Sequence, residues 1–370
     1  MSLFESFNLH GIELKNRIVM APMTRARCPH NSPTDLTALY YKQRASAGLI
    51  ITEGAPVSTS GRGYLFTPGI YSPQQVEGWQ RVTSAVHNEG GKIFVQLWHV
   101  GRVSHSTLQE DGGSPVSSSP VRAQHTFSFA YDDQGKAGNI LASSPTELTQ
   151  EEIDQVVKDF VQGAINAIEA GFDGVELHGA NGYLFEQFIN GDLNRRTDDY
   201  GGSIENRLRF TLEVVDAVSS AIGSNRLGIR VSPFGRSSDL HGYSDEEITW
   251  LTLGLELSKR RLAYVHISNL PTLETRRQDV NFLLDFRSAY QGVLMLAGGL
   301  TGESAQRYLK AGIADLVAFG RPFIRNPDLV DRLRNQWCLM PYSKDELYGG
   351  GEGGYTDYPC YQESMAGASE

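Results

Sequence analysis

The sequence predicts a single (β/α)₈ barrel, and three observations carry this prediction. Short apolar runs alternate along the chain with stretches of amphipathic helical pattern. Such alternation is typical of a parallel sheet whose helices cover its outer face. The length, 370 residues, is within the range of a barrel with insertions. A doubly wound open sheet has a similar element count, but no G-x-G-x-x-G follows the first strand.

The apolar runs and the amphipathic stretches give the predicted elements in chain order. The predicted strands are Arg17–Met20, Leu49–Thr52, Lys92–Leu97, Gly174–His178, Leu227–Val231, Tyr264–Ser268, Val293–Ala297 and Leu316–Gly320. The predicted helices are Thr34–Ala47, Pro73–Asn88, Thr149–Ala170, Ser203–Ile222, Ser244–Arg261, Phe282–Tyr290, Glu303–Ala311 and Asp328–Gln336. Two of them begin with a polar cluster that is typical of a capping box, at Thr149–Glu152 and at Ser244–Glu247.

The stretch between Trp98 and Leu148 is too long for a plain loop. It predicts an insertion after the third strand, with a hairpin at 122–140 that lies over the mouth of the barrel. No domain boundary is visible, so residues 1–370 are predicted to form one domain. The glycines of the GGGEGG run predict a flexible tail over about residues 343–370.

Composition and charge narrow the class of protein and of partner. The formal net charge of −10 argues against nucleic acid or an anionic membrane surface as the main partner. The first residues show no secretory signal, and no apolar run approaches the roughly 18 residues of a membrane span. Cys28, Cys338 and Cys360 are scattered and suit neither a disulfide framework nor a metal site. These features predict a cytoplasmic protein without a metal ion, and they leave the oligomeric state open.

Strand alternation assigns polar side chains to the interior of the barrel. Within Gly174–His178 the apolar residues suit the outer face, so His178 and the deeper Glu176 point inward. The same pattern turns Gln96, Trp98 and Arg230 inward on their strands. Barrel interiors are normally apolar, and active sites form at the carboxyl ends of the strands. The pattern therefore indicates a site, although a satisfied polar core also explains it and Glu176 suits a structural ion pair.

Two loops at the ends of the last two strands suit a phosphate group. Gly298 and Gly299 follow the seventh strand, and Gly320 and Arg321 end the eighth. Glycines let backbone N–H groups approach an anion, and arginine binds phosphate oxygens in bidentate fashion. Barrels often bind phosphate between these two loops, although tight turns and a surface arginine are the simpler explanation of each loop alone.

A phosphate anchor beside an inward arginine and an inward glutamine fits flavin mononucleotide. Arg230 would stabilise the negative charge that develops near N1 and O2 of the flavin when hydride arrives. Gln96 would pair with the pyrimidine edge of the ring. FMN is therefore the predicted cofactor.

The segment from Phe172 to Arg209 holds the most informative motif. His178, Asn181 and Tyr183 place two neutral hydrogen-bonding groups and a phenol within six positions. This set suits a reaction in which an oxygen gains negative charge while a nearby carbon takes a proton. The segment, including RRTDDYGGSIENR, closely resembles the signature of the old yellow enzyme family, the flavin-dependent ene-reductases. The resemblance runs from about residue 3 to residue 361 and is interrupted at the GGGEGG run and at 122–140.

The resemblance implies a role for each matching residue. His178 and Asn181 match the donors to the substrate oxygen, and Tyr183 matches the proton donor. Other matches lie in the turn after the first strand, beside the cofactor and at the pocket mouth. In that turn are Pro22, Met23 and Thr24, the last bonding the flavin carbonyl next to N5; Gly54 lies along the cofactor; and Tyr64 and Tyr348 lie around the pocket mouth. Trp98, which strand alternation turns inward, would form a wall of the substrate pocket.

The implied activity is that of an FMN-dependent ene-reductase. NAD(P)H would reduce the flavin, which would pass hydride to the β-carbon of an α,β-unsaturated carbonyl or nitro compound, and Tyr183 would protonate the α-carbon. Reduction of nitro or nitrate-ester xenobiotics and non-enzymatic flavin binding are the alternatives, and a mere binder has no need of the phenol. A glycosidase would need two opposed carboxylates, and only Glu176 has a plausible inward direction.

Overall fold

Eight parallel strands close into a barrel in the computed structural model, which describes residues 1–268 and 279–361. The strands are β1 (Phe7–Leu9), β2 (Ile12–Leu14), β3 (Ile18–Met20), β4 (Leu49–Pro56), β5 (Ile93–Trp98), β6 (Val116–Ser117), β7 (Phe127–Tyr131), β8 (Ala137–Leu141), β9 (Thr146–Glu147), β10 (Gly174–Gly179), β11 (Leu227–Val231), β12 (Tyr264–Ile267), β13 (Leu294–Ala297) and β14 (Leu316–Phe319). The barrel order is β3-β4-β5-β10-β11-β12-β13-β14, and β14 pairs with β3. The predicted fold is confirmed.

Helices follow the barrel strands, mostly within a few residues of the predicted bounds. They are α1 (Asp35–Lys42), α2 (Pro73–Asn88), α3 (Gln150–Glu169), α4 (Leu184–Ile189), α5 (Ile204–Ile222), α6 (Glu246–Arg260), α7 (Asp279–Ala289), α8 (Gly302–Lys310), α9 (Pro322–Arg325) and α10 (Leu329–Asn335). The first helix ends earlier than predicted because the residues after Lys42 form turns whose N–H groups bond three residues back, as Arg44 N to Tyr41 O at 3.1 Å.

One of the two predicted capping boxes is confirmed and the other is wrong. The Thr149 hydroxyl accepts from the N–H of Glu152, whose carboxylate accepts in return from the N–H of Thr149. The later helix begins at Glu246, after the predicted cluster has started, and Asp245 precedes it without a side-chain cap hydrogen bond. The Asp245 carboxylate accepts instead from Arg207 at 2.9 Å, so a tertiary contact has replaced the local one.

The predicted alternation of the barrel strands is confirmed by their contacts. The apolar side chains of β10 pack in the cluster under the helices, whereas Glu176 is buried inside the barrel. There its carboxylate accepts from Gln96 Nε2 at 2.8 Å and contacts His266 Nδ1 at 2.9 Å. Glu176 is thus a structural contact of the interior, and each of its oxygens has a partner.

The insertion after β5 carries the predicted hairpin, in which β7 and β8 pair in antiparallel fashion. The hairpin is attached to the loop after β4 by a bridge between Tyr64 and Phe129, and the Leu65 N–H donates to the Phe129 carbonyl at 2.8 Å. Because Phe129 lines a cavity at the mouth of the barrel, the predicted position of the hairpin is confirmed.

The glycine-rich segment near the end of the chain packs against the turn after β3. The Arg25 guanidinium donates to the carbonyls of Glu346, Leu347 and Gly354, all within 2.9 Å. Tyr355 is fully buried and stacks on Tyr40 at 4.2 Å between ring centroids. The flexibility of the tail stays a prediction, and its last residues, 362–370, lie outside the described part of the chain.

No helix among the described residues is both long and apolar enough to cross a bilayer.

Candidate active site

Two neighbouring cavities open at the carboxyl ends of the barrel strands. The larger, which we call the aromatic cavity, has a volume of about 740 Å³ and is lined by residues that include Thr24, Tyr64, Phe66, Trp98, Phe129, Asn139, Tyr183 and Tyr348. The smaller, which we call the glycine-loop cavity, has a volume of about 450 Å³ and is lined by residues that include Pro22, Met23, Arg230, Ser268, Gly298, Gly299, Gly320 and Arg321. Most of the predicted cofactor residues that line a cavity line the glycine-loop cavity, whereas Tyr64, Trp98, Tyr183 and Tyr348 line the aromatic cavity.

The turn after β3 joins the two cavities. Pro22 and Met23 line the glycine-loop cavity, and Thr24, the next residue, lines the aromatic cavity. The turn is fixed from behind by the buried Glu53, whose carboxylate accepts from the N–H groups of Arg25 and Ala26 at 3.0 and 3.1 Å. Burial raises the pKa of Glu53 to about 7, although these N–H groups act in the opposite direction.

Tyr183 is brought to the aromatic cavity by a tight turn between β10 and α4. The turn passes through Asn181 and Gly182, which both have a positive φ, of 61° and 79°. A Cβ at Gly182 would lie 2.6 Å from the carbonyl oxygen of Ser237, so only glycine fits there. Tyr183 then precedes the first residue of α4, and its side chain faces the cavity rather than the helix.

Four aromatic rings of the site contact one another. The ring centroid of Tyr183 lies 4.9 Å from that of Trp98 and 4.9 Å from that of His178, both in edge-to-face geometry. Trp98 also stacks on Tyr64 at 5.5 Å. The hydroxyl groups of Tyr64 and Tyr183 lie 3.3 Å apart, a contact that the sequence did not predict. Packed rings of this kind fix the direction of each polar atom.

The surroundings keep His178 and Tyr183 of this cluster neutral. Burial lowers the pKa of His178 well below its usual value, and the charges of Arg230 and His266 add to the effect. Burial raises the pKa of Tyr183 well above its usual value, and the neighbouring Tyr64 adds to it. At neutral pH His178 is therefore an uncharged imidazole and Tyr183 a protonated phenol. Within the described residues, the buried Nδ1 of His178 has no hydrogen-bond partner.

The glycine-loop cavity is formed largely by backbone. Gly298 and Gly299 have φ values of 117° and 63°, which only glycine adopts without strain at both positions. Gly320 is different, because an added Cβ would meet its nearest neighbour, Met23, at an ordinary 3.5 Å. Arg321 is exposed at the rim, where its guanidinium lies 3.0 Å from the Tyr342 hydroxyl.

Arg230 points from β11 into the glycine-loop cavity, as predicted. Its Nε atom is buried, and so is the hydroxyl oxygen of Ser268 in the same cavity; neither has a hydrogen-bond partner among the described residues. Orphaned polar atoms beside glycines of positive φ suit a ligand that carries both an anionic group and ring acceptors. The residues present therefore fit FMN.

Neither cavity wall includes four of the predicted site residues, which are Gln96, Gly54, His178 and Asn181. Gln96 is buried and donates to Glu176. A Cβ at Gly54 would lie 2.5 Å from the Trp98 ring, so this glycine lets Trp98 pack against β4. His178 lies in β10 and Asn181 in the turn, and both precede Tyr183 in the chain. In the described part of the chain, no cluster of three potential metal ligands occurs.

Known proteins with a similar sequence and fold bear on this arrangement. The model of the NADH:flavin oxidoreductase / NADH oxidase family matches residues 2–339. The chain is 42% identical to 12-oxophytodienoate reductase 1 of Oryza sativa subsp. japonica over 98% of this chain and 93% of that protein. The solved structure of morphinone reductase in complex with tetrahydroNAD superposes with a TM-score of 0.94, at 45% identity, covering 97% of this chain and 98% of that one. An old yellow enzyme homologue from Zymomonas mobilis gives a TM-score of 0.90 at 37% identity, covering 97% and 99% of the two chains.

These comparisons show the class of the protein, the flavin-dependent oxidoreductases. The chain belongs to the NADH:flavin oxidoreductase / NADH oxidase family, of the old yellow enzyme type that the sequence resembles. Its cofactor is FMN, and its electron donor is a nicotinamide nucleotide.

Proposed function

We propose that the protein is an ene-reductase that uses NAD(P)H to reduce the activated C=C bond of α,β-unsaturated carbonyl or nitro compounds. The observation that carries this proposal is the protonated Tyr183 phenol, which lies in one aromatic cavity with the neutral His178 beside it. Bound FMN supplies the hydride, which comes from NAD(P)H. A second group must then supply a proton, and the site contains one.

The glycine loops and the interior arginine would hold the cofactor. The N–H groups around Gly298 and Gly299, with Arg321, suit the phosphate, because glycine backbone approaches an anion closely. Arg230 supplies a fixed positive charge deeper in the same cavity, where charge develops during reduction. The Gln96 amide nitrogen donates to Glu176, so its oxygen would be the atom that pairs with the ring edge.

Tyr183 would deliver the proton to the α-carbon. A phenol with a raised pKa stays protonated at neutral pH, so its proton is present for transfer to the substrate. Its contacts with Trp98 and His178 hold the ring, and the hydroxyl of Tyr64 at 3.3 Å fixes the direction of its oxygen. Positioning of this kind is what general acid catalysis requires.

His178 and Asn181 would bind the oxygen of the substrate. A neutral imidazole donates one N–H, and the amide of Asn181 donates another, so together they polarise the carbonyl or nitro group without surrendering a proton. His178 lies near the end of β10 and Asn181 in the turn that follows, so both lie within five positions of Tyr183. The relatives 12-oxophytodienoate reductase and morphinone reductase are reductases by name, which agrees with this reaction class.

The domain organisation and the location of the protein are part of the same proposal. We propose that residues 1–370 act as one domain, supported by the single barrel to which the described insertion and tail segment attach. We also propose a cytoplasmic location, supported by the absence of a disulfide at the buried Cys28 and the exposed Cys338.

Turnover of a simple enone tests the proposed function. The purified, FMN-loaded protein should oxidise NADPH or NADH in proportion to added 2-cyclohexenone under anaerobic conditions, with cyclohexanone as product. Nitrobenzene and a nitrate ester serve as comparison substrates. Nucleotide oxidation without formation of the saturated ketone would refute the enone assignment.

A further inference from the structure

The peptide groups of the Asn181–Gly182 turn are held by side chains from other elements. The Asn181 N–H donates to Ser232 Oγ at 2.8 Å, and the Ser232 hydroxyl donates to Glu186 Oε1 at 2.5 Å. The N–H of Gly182 donates to the other carboxylate oxygen of Glu186. A directed relay therefore runs from the turn through Ser232 to Glu186, and a second bond joins the same carboxylate directly.

The carbonyl groups of the turn are held as well. Gln187 Nε2 donates to the Gly182 carbonyl at 2.8 Å, and the Ser238 hydroxyl donates to the Asn181 carbonyl at 3.0 Å. The φ of 61° at Asn181 is uncommon for a residue with a Cβ, asparagine adopts it more readily than most, and these hydrogen bonds hold the turn in that conformation. The conformation that presents Asn181 and Tyr183 is thus imposed by its neighbours.

Glu186 is the unusual member of this network. Its side chain is 2% exposed, and an ionised carboxylate is costly to bury without partners. The charged groups that face it are Glu246 and Arg236, which bond each other at 2.7 Å and not Glu186. Burial raises the pKa of Glu186 to about 7, whereas the two donors from Ser232 and Gly182 favour its charged form. Both oxygens serve the turn, and the proposed mechanism assigns Glu186 no other task.

We propose that Glu186, acting through Ser232 and the Gly182 N–H, is the positioning residue that fixes Asn181 and Tyr183 over the bound substrate. This inference rests on the proposed function of the same site. Glutamine at position 186 has one acceptor oxygen instead of two, so one of the two donors loses its partner. Loosening of the turn lowers the capture of the substrate oxygen and leaves the FMN site, in the other cavity, as it is.

The test compares Glu186→Gln and Ser232→Ala with a matched control, Glu246→Gln. Glu246 borders the same small cavity as Glu186 and Ser232 but takes no part in the relay. The holoenzymes are titrated with 4-hydroxybenzaldehyde, whose phenol oxygen probes the donors through the long-wavelength band of the flavin. KM and kcat for 2-cyclohexenone, the dissociation constant of FMN and the midpoint of thermal unfolding are measured beside it.

Loss of one hydrogen bond to a charged group should weaken the phenol, and raise KM for the enone, by about tenfold. FMN affinity should stay within about twofold of the parent in both variants. The double variant should be no weaker than either single one, because both changes interrupt the same relay. The control should match the parent.

Parent-like binding of phenol and enone in Glu186→Gln and Ser232→Ala would overturn the positioning role. Equal losses in the control, or a parallel loss of FMN, would also overturn it, since they indicate general destabilisation. If the parent itself fails to reduce 2-cyclohexenone, the proposed function is refuted, and the phenol titration alone decides the role of Glu186. Should one variant fail to fold, the other gives the same comparison with the control.

Discussion

The aromatic cavity and the glycine-loop cavity lie side by side at the same end of the barrel, yet they are built differently. In the first, the polar atoms belong to side chains, and packed rings such as Trp98 on Tyr64 and Tyr183 hold them in place. In the second, backbone of positive φ at Gly298 and Gly299 forms the wall, with charges from Arg230 and Arg321 added. The first is suited to moving a proton and the second to holding a charged group.

This difference separates what each region controls. Substitutions in the aromatic cavity should change rates and substrate binding while FMN stays bound. Substitutions in the glycine-loop cavity should change the affinity for FMN while the chemistry of the loaded enzyme is retained. The turn Ala21–Ala26 is the exception, because it lines both cavities.

The largest effect is expected from Tyr183→Phe. A general acid contributes on the order of 10²–10⁴-fold, so reoxidation of the reduced enzyme by an enone should slow by that factor. Reduction by NAD(P)H should change little, because no phenol proton is needed there. Stopped-flow measurement of each half-reaction checks this, and equal slowing of both would remove Tyr183 from the role of acid.

Arg321→Ala probes the other cavity. A charge-assisted bidentate contact contributes roughly 1.5–3 kcal/mol, so FMN should bind on the order of 10–150-fold more weakly. Riboflavin, which lacks the phosphate, should be affected much less. Fluorescence quenching of both flavins by the apoprotein gives the two affinities. A similar loss for both flavins would mean that Arg321 supports the fold at the rim instead of the phosphate.

The double variant His178→Ala/Asn181→Ala changes two residues that precede Tyr183 in the chain, one in β10 and one in the turn after it. Two lost hydrogen bonds should weaken phenolic inhibitors by on the order of 10–100-fold. The protein should remain yellow, because the glycine-loop cavity is unchanged. The titration follows the long-wavelength absorbance band of the phenol complex. A titration curve like that of the parent would make the pair purely structural.

The smallest effect concerns pH and the turn between the cavities. The folded-state pKa of Glu53 is raised to about 7 from 4.5, so the folded protein holds this proton more tightly than the unfolded chain does. The contribution of this proton to the free energy of unfolding is therefore complete below pH 4.5 and is lost as the pH rises through 7. The loss is on the order of 1–3 kcal/mol. Glu53→Gln should make the midpoint of urea unfolding less dependent on pH between 5 and 8. An unchanged slope would contradict the raised pKa.

The sequence predicted the barrel and the inward direction of several polar side chains because both follow from local patterns. Alternation in the strands correctly turned Gln96 and Arg230 inward, and the glycine pairs marked the loops that line the second cavity. The motif after β10 placed His178 and Tyr183 in one short segment. These features can be predicted without knowing the long-range contacts of the fold.

The features that the sequence did not predict depend on contacts between residues that are far apart in the chain. The Tyr64–Tyr183 hydroxyl contact joins residues 119 positions apart, through a loop that the hairpin fixes. Composition likewise does not show that Arg25 and Arg27 bind the carbonyls of Gly354 and Gly353. Similarly, the polar cluster at Ser244 is typical of a capping box, but the Asp245 carboxylate accepts a hydrogen bond from the distant Arg207.

The most direct test of the account follows the flavin of the wild-type protein through one cycle. Under anaerobic conditions, NADPH or NADH should bleach the flavin absorbance, and mixing the reduced protein with 2-cyclohexenone should restore it with one equivalent of cyclohexanone. That result would show that the two cavities serve one cofactor. Bleaching without recovery by the enone would contradict the claim that the aromatic cavity binds and protonates an enone beside the flavin.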